Sequence, residues 1–183
     1  MNGTQTGGFP VTAAIRSASA ADTGALTDFF AGLSTETRYL RFFAPVTPGP
    51  GLVRRMSGGD GHADAVVAVR GGVIIGHGMT VDQAGPRGTR TADVGVVVAD
   101  AWQGLGVGSA LIRALAARAG ARGVTSLTMD VLPANHRMLA LIARLWPAAR
   151  IENSADFATF RVRLPQPGQQ RPQAQPSALA SAG

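Results

Sequence analysis

The chain has 183 residues, a net charge of +6 and 45% apolar residues, enough for one globular domain with a real core. It has no cysteine, which excludes disulfides and thiolate metal centres, and no apolar run approaches the roughly 18–20 residues of a membrane span. Its 17 basic residues are all arginine and are dispersed, with only Arg54-Arg55 adjacent; with 5% aromatics, this argues against a stacking platform for nucleic acid.

Residues 1–10 are rich in Gly, Thr and Gln. They lack the basic and apolar blocks of a secretory signal, so a disordered N-terminus and a cytoplasmic location are expected. Val11–Arg16 reads as a first strand. Ser19 or Asp22 can cap a helix running to about Leu33, with Leu26, Phe29, Phe30 and Leu33 on one face. Ser34 offers a second N-cap for a short helix, Glu36–Phe42, broken by Pro45, Pro48 and Pro50. A third short helix is expected over Gly51–Met56.

Ala65–Val69 and Val73–Thr80 flank Gly71-Gly72, the strongest hairpin signal in the chain. Asp82–Arg90 reads as a loop and Ala92–Val98 as the next strand. A helix then runs from Gly106 to Gly120, a strand over Ser126–Val131, and a helix over Asn135–Leu145 that Pro147 stops. Ala158–Leu164 is the last strand, with a partner around Ala149–Ile151. Residues 165–183, rich in Pro, Gln and Ala, bury too little apolar surface to offset their ordering entropy and are expected to be disordered. The folded part is therefore 11–164. Three consecutive strands make antiparallel hairpins, and the later strand–helix–strand unit demands a parallel crossover. The expected fold is α/β (α+β): a mixed, mostly antiparallel sheet of about six or seven strands flanked by helices.

The most informative stretch is residues 94–109. The apolar run Val94-Gly95-Val96-Val97-Val98 leads through Ala99-Asp100-Ala101-Trp102 into Gln103-Gly104-Leu105-Gly106-Val107-Gly108-Ser109, and a helix follows at once. Bare amides at a helix start, with no Cβ atoms in the way, make a place for an anion. A Walker A loop needs a lysine, which this chain lacks. The dinucleotide fingerprint Gly-x-Gly-x-x-Gly nearly fits 104–109, and Asp130 ends a strand at about the right distance. Its third glycine is Ser109, however, and too many strands precede it. His62, His77 and His136 lie far apart without ligand spacing, so no metal is expected.

Gln103-Gly104-Leu105-Gly106-Val107-Gly108 closely resembles the Arg/Gln-x-x-Gly-x-Gly/Ala loop of the GNAT N-acetyltransferase superfamily. Val96-Val97-Val98 before it, the helix after it and Leu132-Pro133-Ala134-Asn135 further on resemble the same family over residues 12–164. The stretch Leu33-Ser34-Thr35-Glu36-Thr37-Arg38-Tyr39-Leu40-Arg41-Phe42-Phe43 is similar to one in the acetyltransferase domain of Pat-type protein lysine acetyltransferases. Asp130-Val131-Leu132, Asn135 and Met138 are similar to the same branch.

The resemblance implies a splayed parallel strand pair holding acetyl-CoA. The backbones of Val96 and Val98 would pair with the pantetheine amides. Gln103 and the amides of Gly104, Gly106, Gly108 and Ser109 would hold the pyrophosphate. Asn135 would lie near the thioester or act as a plain helix cap, or both. An amine, on a protein lysine or a small molecule, would attack the thioester directly.

In the family a glutamate on the strand before the loop accepts the amine's proton. Asp93 stands there and shortens the reach by a methylene, so a bridging water is expected. A tyrosine general acid is replaced by Ile142, and the family's Gly-Phe by Trp146-Pro147. Trp102 and Trp146 read as packing residues. His62, His77 and Asp100 are lesser candidates for the base, and Glu36 and Arg41 are candidates to line the acceptor cleft. The alternative is a non-catalytic acyl-CoA-binding regulatory module on the same fold. Pairing through edge strands into a homodimer is one assembly such domains allow. Neither a nucleic acid nor a membrane is an expected partner.

Overall fold

The computed structural model describes residues 13–58, 63–85 and 88–165. The expectations for residues 1–12 and for the tail beyond Pro165, and His62, lie outside the described residues. Seven strands form one sheet in the order β1-β2-β3-β4-β5-β7-β6. They are β1 (Ala14–Ser17), β2 (Ala63–Arg70), β3 (Val73–Ala84), β4 (Arg90–Val98), β5 (Ser126–Val131), β6 (Arg150–Asn153) and β7 (Ala158–Arg163). Every neighbouring pair is antiparallel except β4 and β5.

The helices are α1 (Thr23–Ala31), α2 (Thr35–Phe42), α3 (Pro50–Met56), α4 (Val107–Ala121) and α5 (His136–Leu145). The first expected helix is shorter than its apolar pattern suggested. Ala20–Asp22 forms a separate 3-10 turn, because the Asp22 carboxylate takes the Ser19 amide and the Arg16 guanidinium. α2 starts at Ser34, whose hydroxyl accepts the Thr37 amide at 3.1 Å. It ends at Phe43, whose φ of 60° turns the chain away from the helix.

The expected loop at Asp82–Arg90 is strand at its two ends, with β3 reaching Ala84 and β4 starting at Arg90. Pairing runs on through Asp82↔Ala92, Gln83↔Thr91 and Ala84↔Arg90. Asp82 is held there by Arg122 (2.9 Å) and Arg90 (3.1 Å), so its charge is neutralised within the ladder.

The two faces of the sheet carry different cores. On one, Leu26, Phe29 and Phe30 of α1, Leu33 just after it, and Val53 and Met56 of α3 pack on Val67 and Val97. On the other, Val107, Leu111 and Leu115 of α4 pack on Val66, Ala68, Val94, Val96 and Val98. Ile142 of α5 and Ala119 of α4 pack on Leu127, Met129 and Val131. Gly76 and Gly78 let α4 close on β3: a Cβ there would stand 3.0 Å from Leu111 Cδ1 or 2.9 Å from Leu115 Cδ1. Strand alternation therefore sends Asp93, Gly95 and Val97 to the α1–α3 face and Val94, Val96 and Val98 to the α4 face. Among the described residues, no helix is long and apolar enough to cross a membrane.

Candidate functional site

The parallel pairing of β4 with β5 covers three positions: Thr91↔Ser126, Ala92↔Leu127 and Asp93↔Thr128. Beyond Asp93 the strands diverge. The gap between them is a cavity of about 370 Å³, lined from both faces of the sheet. Arg41, Phe43, Asp93, Thr128 and Asp130 contribute from the α1–α3 face; Val94, Val96, Met129, Asn135 and Met138 contribute from the other.

Ladder geometry decides which backbone groups of β4 face this gap. The Ala99 amide donates to the Ile75 carbonyl at 3.0 Å, so the odd-numbered residues of β4 bond to β3. Val94, Val96 and Val98 therefore present their amides and carbonyls to the gap. The Val98 carbonyl is already taken by Gln103 Nε2 at 3.0 Å. Val96 is left as an unpaired strand edge inside the cavity.

The glycine turn follows. Gly104 and Gly106 have φ of 77° and 87°, which a side chain would strain, and open space lies where a Cβ would stand. Gly106 precedes α4 and offers no side-chain acceptor, so the amides of the first helical turn stay available to an anion. Gly108 lies inside that first turn, beside Val98 and Leu141. Ser109 is buried and its hydroxyl has no hydrogen-bond partner. An open cradle, free first-turn amides and an orphaned buried hydroxyl fit a bound anion.

The side chain of Gln103, expected to help hold the pyrophosphate, makes three contacts within the protein. Its Nε2 donates to the Val98 carbonyl and to Thr37 Oγ1 (3.0 Å each), and its Oε1 accepts from Arg137. It ties the turn to α2 and α5. Arg137 brings a cation next to this turn, and no local sequence pattern signals it. Asn135 caps α5 by accepting the Met138 amide at 3.2 Å, and it also lines the cavity.

Asp93 sits at the fork, exposed, where Gln83 Nε2 and Thr128 Oγ1 both donate to its carboxylate. The other base candidates are engaged elsewhere. His77 is fully buried under α1 and α3, with Nε2 2.8 Å from the Met56 carbonyl. Burial, reinforced by the charge of Arg41, outweighs that carbonyl and lowers its pKa to about 4.

Asp100 accepts the Ser34 amide (3.0 Å), the Ser34 hydroxyl (2.6 Å) and the Thr37 hydroxyl (2.7 Å). Burial pushes its pKa up, and these bonds together hold it below the usual carboxylate value. Glu36 is exposed and not among the cavity residues, whereas Arg41 lines the cavity. Ile142 is fully buried and offers no proton. Trp102 packs under the Arg70 guanidinium at 4.7 Å, and Trp146 packs against the α5 core. Among the described residues, no group of three or more His, Asp or Glu side chains could hold a metal ion.

Comparison with known proteins places this geometry. Residues 33–145 match the acetyltransferase (GNAT) family. The GNAT domain of S. lividans PAT superposes with a TM-score of 0.74 at 29% identity, over 83% of this chain and 90% of that one. A phosphinothricin acetyltransferase from Sinorhizobium meliloti, solved in complex with AcCoA, gives 0.70 at 19% identity, over 92% and 97%. YncA from Salmonella typhimurium, solved with its cofactor acetyl-CoA, gives 0.65 at 18% identity, over 89% and 99%.

Proposed function

The chain belongs to the acetyltransferase (GNAT) family, and from that membership we propose that it transfers an acetyl group from acetyl-CoA to an amine. One observation carries the reading: the strand edge of Val96 opens into the same cavity as Asp93 and lies just ahead of the glycine turn. Val96 would hold the pantetheine as an added strand, while the amides of Gly104, Gly106, Gly108 and Ser109, with the Ser109 hydroxyl, would hold the pyrophosphate. Gln103 supports this reading from behind, by fixing the turn. Arg137 adds positive charge beside it. Asn135 reaches the cavity from the start of α5.

Acetyl-CoA, when bound, supplies the acetyl group as a thioester. Asp93 is the group that takes the proton of the incoming ammonium, directly or through one water, because a protonated amine has no lone pair to attack with. Gln83 and Thr128 keep its carboxylate pointed at the fork. With Ile142 in place of a tyrosine, CoA leaves as a thiolate when the C–S bond breaks, and takes its proton from solvent.

The test is acetyl-CoA turnover over a panel of amines, read as released thiol. Asp93→Ala should bind acetyl-CoA as the parent does and lose at least tenfold in kcat, roughly 1.4 kcal/mol of barrier. An unchanged rate removes Asp93 from the mechanism. The buried Ile142 favours one other reading, a non-catalytic acyl-CoA-binding module. Tight acetyl-CoA binding with no turnover on any amine or protein extract would select it.

A further inference from the structure

Arg41 is a cation without a counter-charge. At the other end of the sheet, Arg90, Arg118 and Arg122 are paired with Asp64 and Asp82, and beside β1 Arg16 is paired with Asp22. Arg41 has no such carboxylate among the described residues, and its Nε is buried with no hydrogen-bond partner. Its close aromatic neighbour is Phe42, 5.1 Å from the ring centroid. Burial alone draws its pKa down to about 10. The side chain as a whole is half-buried, its inner Nε cut off from water. An isolated charge so placed costs free energy, and an apolar side chain of similar length would fill the space without that cost.

The backbone is also shaped around it. A Cβ on Gly95 would stand 2.3 Å from Arg41 Nη2 and 2.5 Å from Cζ, so the guanidinium lies directly on the main chain of β4. Gly95 and Asp93 share the α1–α3 face, about 7 Å apart along the strand. Arg41 and Asp93 both line the cavity.

We propose that Arg41 receives an anionic group of the acceptor, and that the acceptor is a small amine bearing a carboxylate, in chemical class an amino acid. This rests on the reading of the chain as an amine acetyltransferase. Asp93 offers a negative charge to the ammonium end and Arg41 a positive charge to the carboxylate end, a few bonds away. A guanidinium can hold a carboxylate through two parallel N–H···O bonds. The anion is not a cofactor phosphate, because Gly95 sits within β4 while the glycine turn lies past its C-terminal end. A protein lysine would bring an ammonium on a long apolar stem and leave Arg41 unpaired.

The experiment compares kcat/KM across matched acceptors: amino acids, their carboxamides, their decarboxylated amines, and a peptide with one lysine. The carboxylates should be preferred at least tenfold. Arg41→Gln should abolish that preference mainly through KM, and Arg41→Lys should keep part of it. Arg41→Gln should melt no lower than the parent, since no ion pair is lost. Gly95→Ala, which pushes the guanidinium off the strand, is a second variant and should weaken the preference too.

Equal use of acids and neutral amines, a preference that survives Arg41→Gln, or a lysine peptide as best acceptor each overturns the assignment while acetyl transfer to amines stands. If no amine is turned over, calorimetry in the presence of CoA reads the same contact with an N-acetylamino acid and its amide. Tighter binding of the acid, lost in Arg41→Gln, upholds the role of Arg41; equal binding overturns it.

Discussion

Ser109 is the buried hydroxyl that, among the described residues, has no partner within the protein. Replacing it with alanine removes an unsatisfied group, so Ser109→Ala should melt at or slightly above the parent temperature. Its acetyl-CoA affinity should fall by about three- to tenfold, the worth of one hydrogen bond to a charged group. Calorimetry beside a thermal melt checks both. A loss of stability with unchanged affinity would make Ser109 a packing residue.

The turn at Gly104 and Gly106 is legible in the sequence because its glycine spacing is local. The side-chain contacts of Gln103 are not. Its partners Thr37 and Arg137 lie 66 and 34 residues away, and no local pattern announces them. The isolation of Arg41 was equally hidden, since it depends on which acidic residues the fold sends elsewhere.

α2 forms one wall of the cavity, and Asp100 pins its start. The carboxylate accepts three hydrogen bonds from Ser34 and Thr37 and places a negative charge at the helix N-terminus. Asp100→Ala should cost about 1 kcal/mol, because Ser34 is exposed to water and the Thr37 hydroxyl keeps its contact with Gln103. The larger expected effect is local: faster hydrogen exchange in α2 and a raised KM for the acceptor, with acetyl-CoA affinity retained. Uniformly faster exchange through the whole chain would contradict this.

Hairpins were readable where glycine forces the turn. Gly71 and Gly72 both sit at positive φ between β2 and β3. The continuation of β3 and β4 past Thr80 and before Ala92 was not readable. It depends on Asp82 meeting Arg122, which caps the end of α4 forty residues on. In the same way, the 3-10 turn before α1 comes from Arg16 reaching Asp22 across a bend rather than from helical periodicity.

On the scale of the molecule, His77 sets a pH dependence. It joins α1 and α3 to the sheet: Phe30 meets the His77 ring edge-on at 5.5 Å, and the Met56 carbonyl holds its Nε2. Its folded pKa of about 4 lies below the ordinary 6.5, so the unfolded chain takes up a proton that the folded one refuses. Stability should be full above about pH 7 and decline as pH falls through 6.5 towards 4. The loss should reach about 2–3 kcal/mol by pH 4.5. Urea titrations of the parent and of His77→Gln test this; the variant should lack that part of the slope.

The sheet's fork, finally, bears on the order of events. Walls drawn from opposite sides of one β-layer would let donor and acceptor enter from opposite faces under the proposed reading. Neither has to depart before the other arrives. Initial-velocity plots against the two substrates should therefore intersect rather than run parallel, and a single compound joining donor to acceptor should inhibit more tightly than either half.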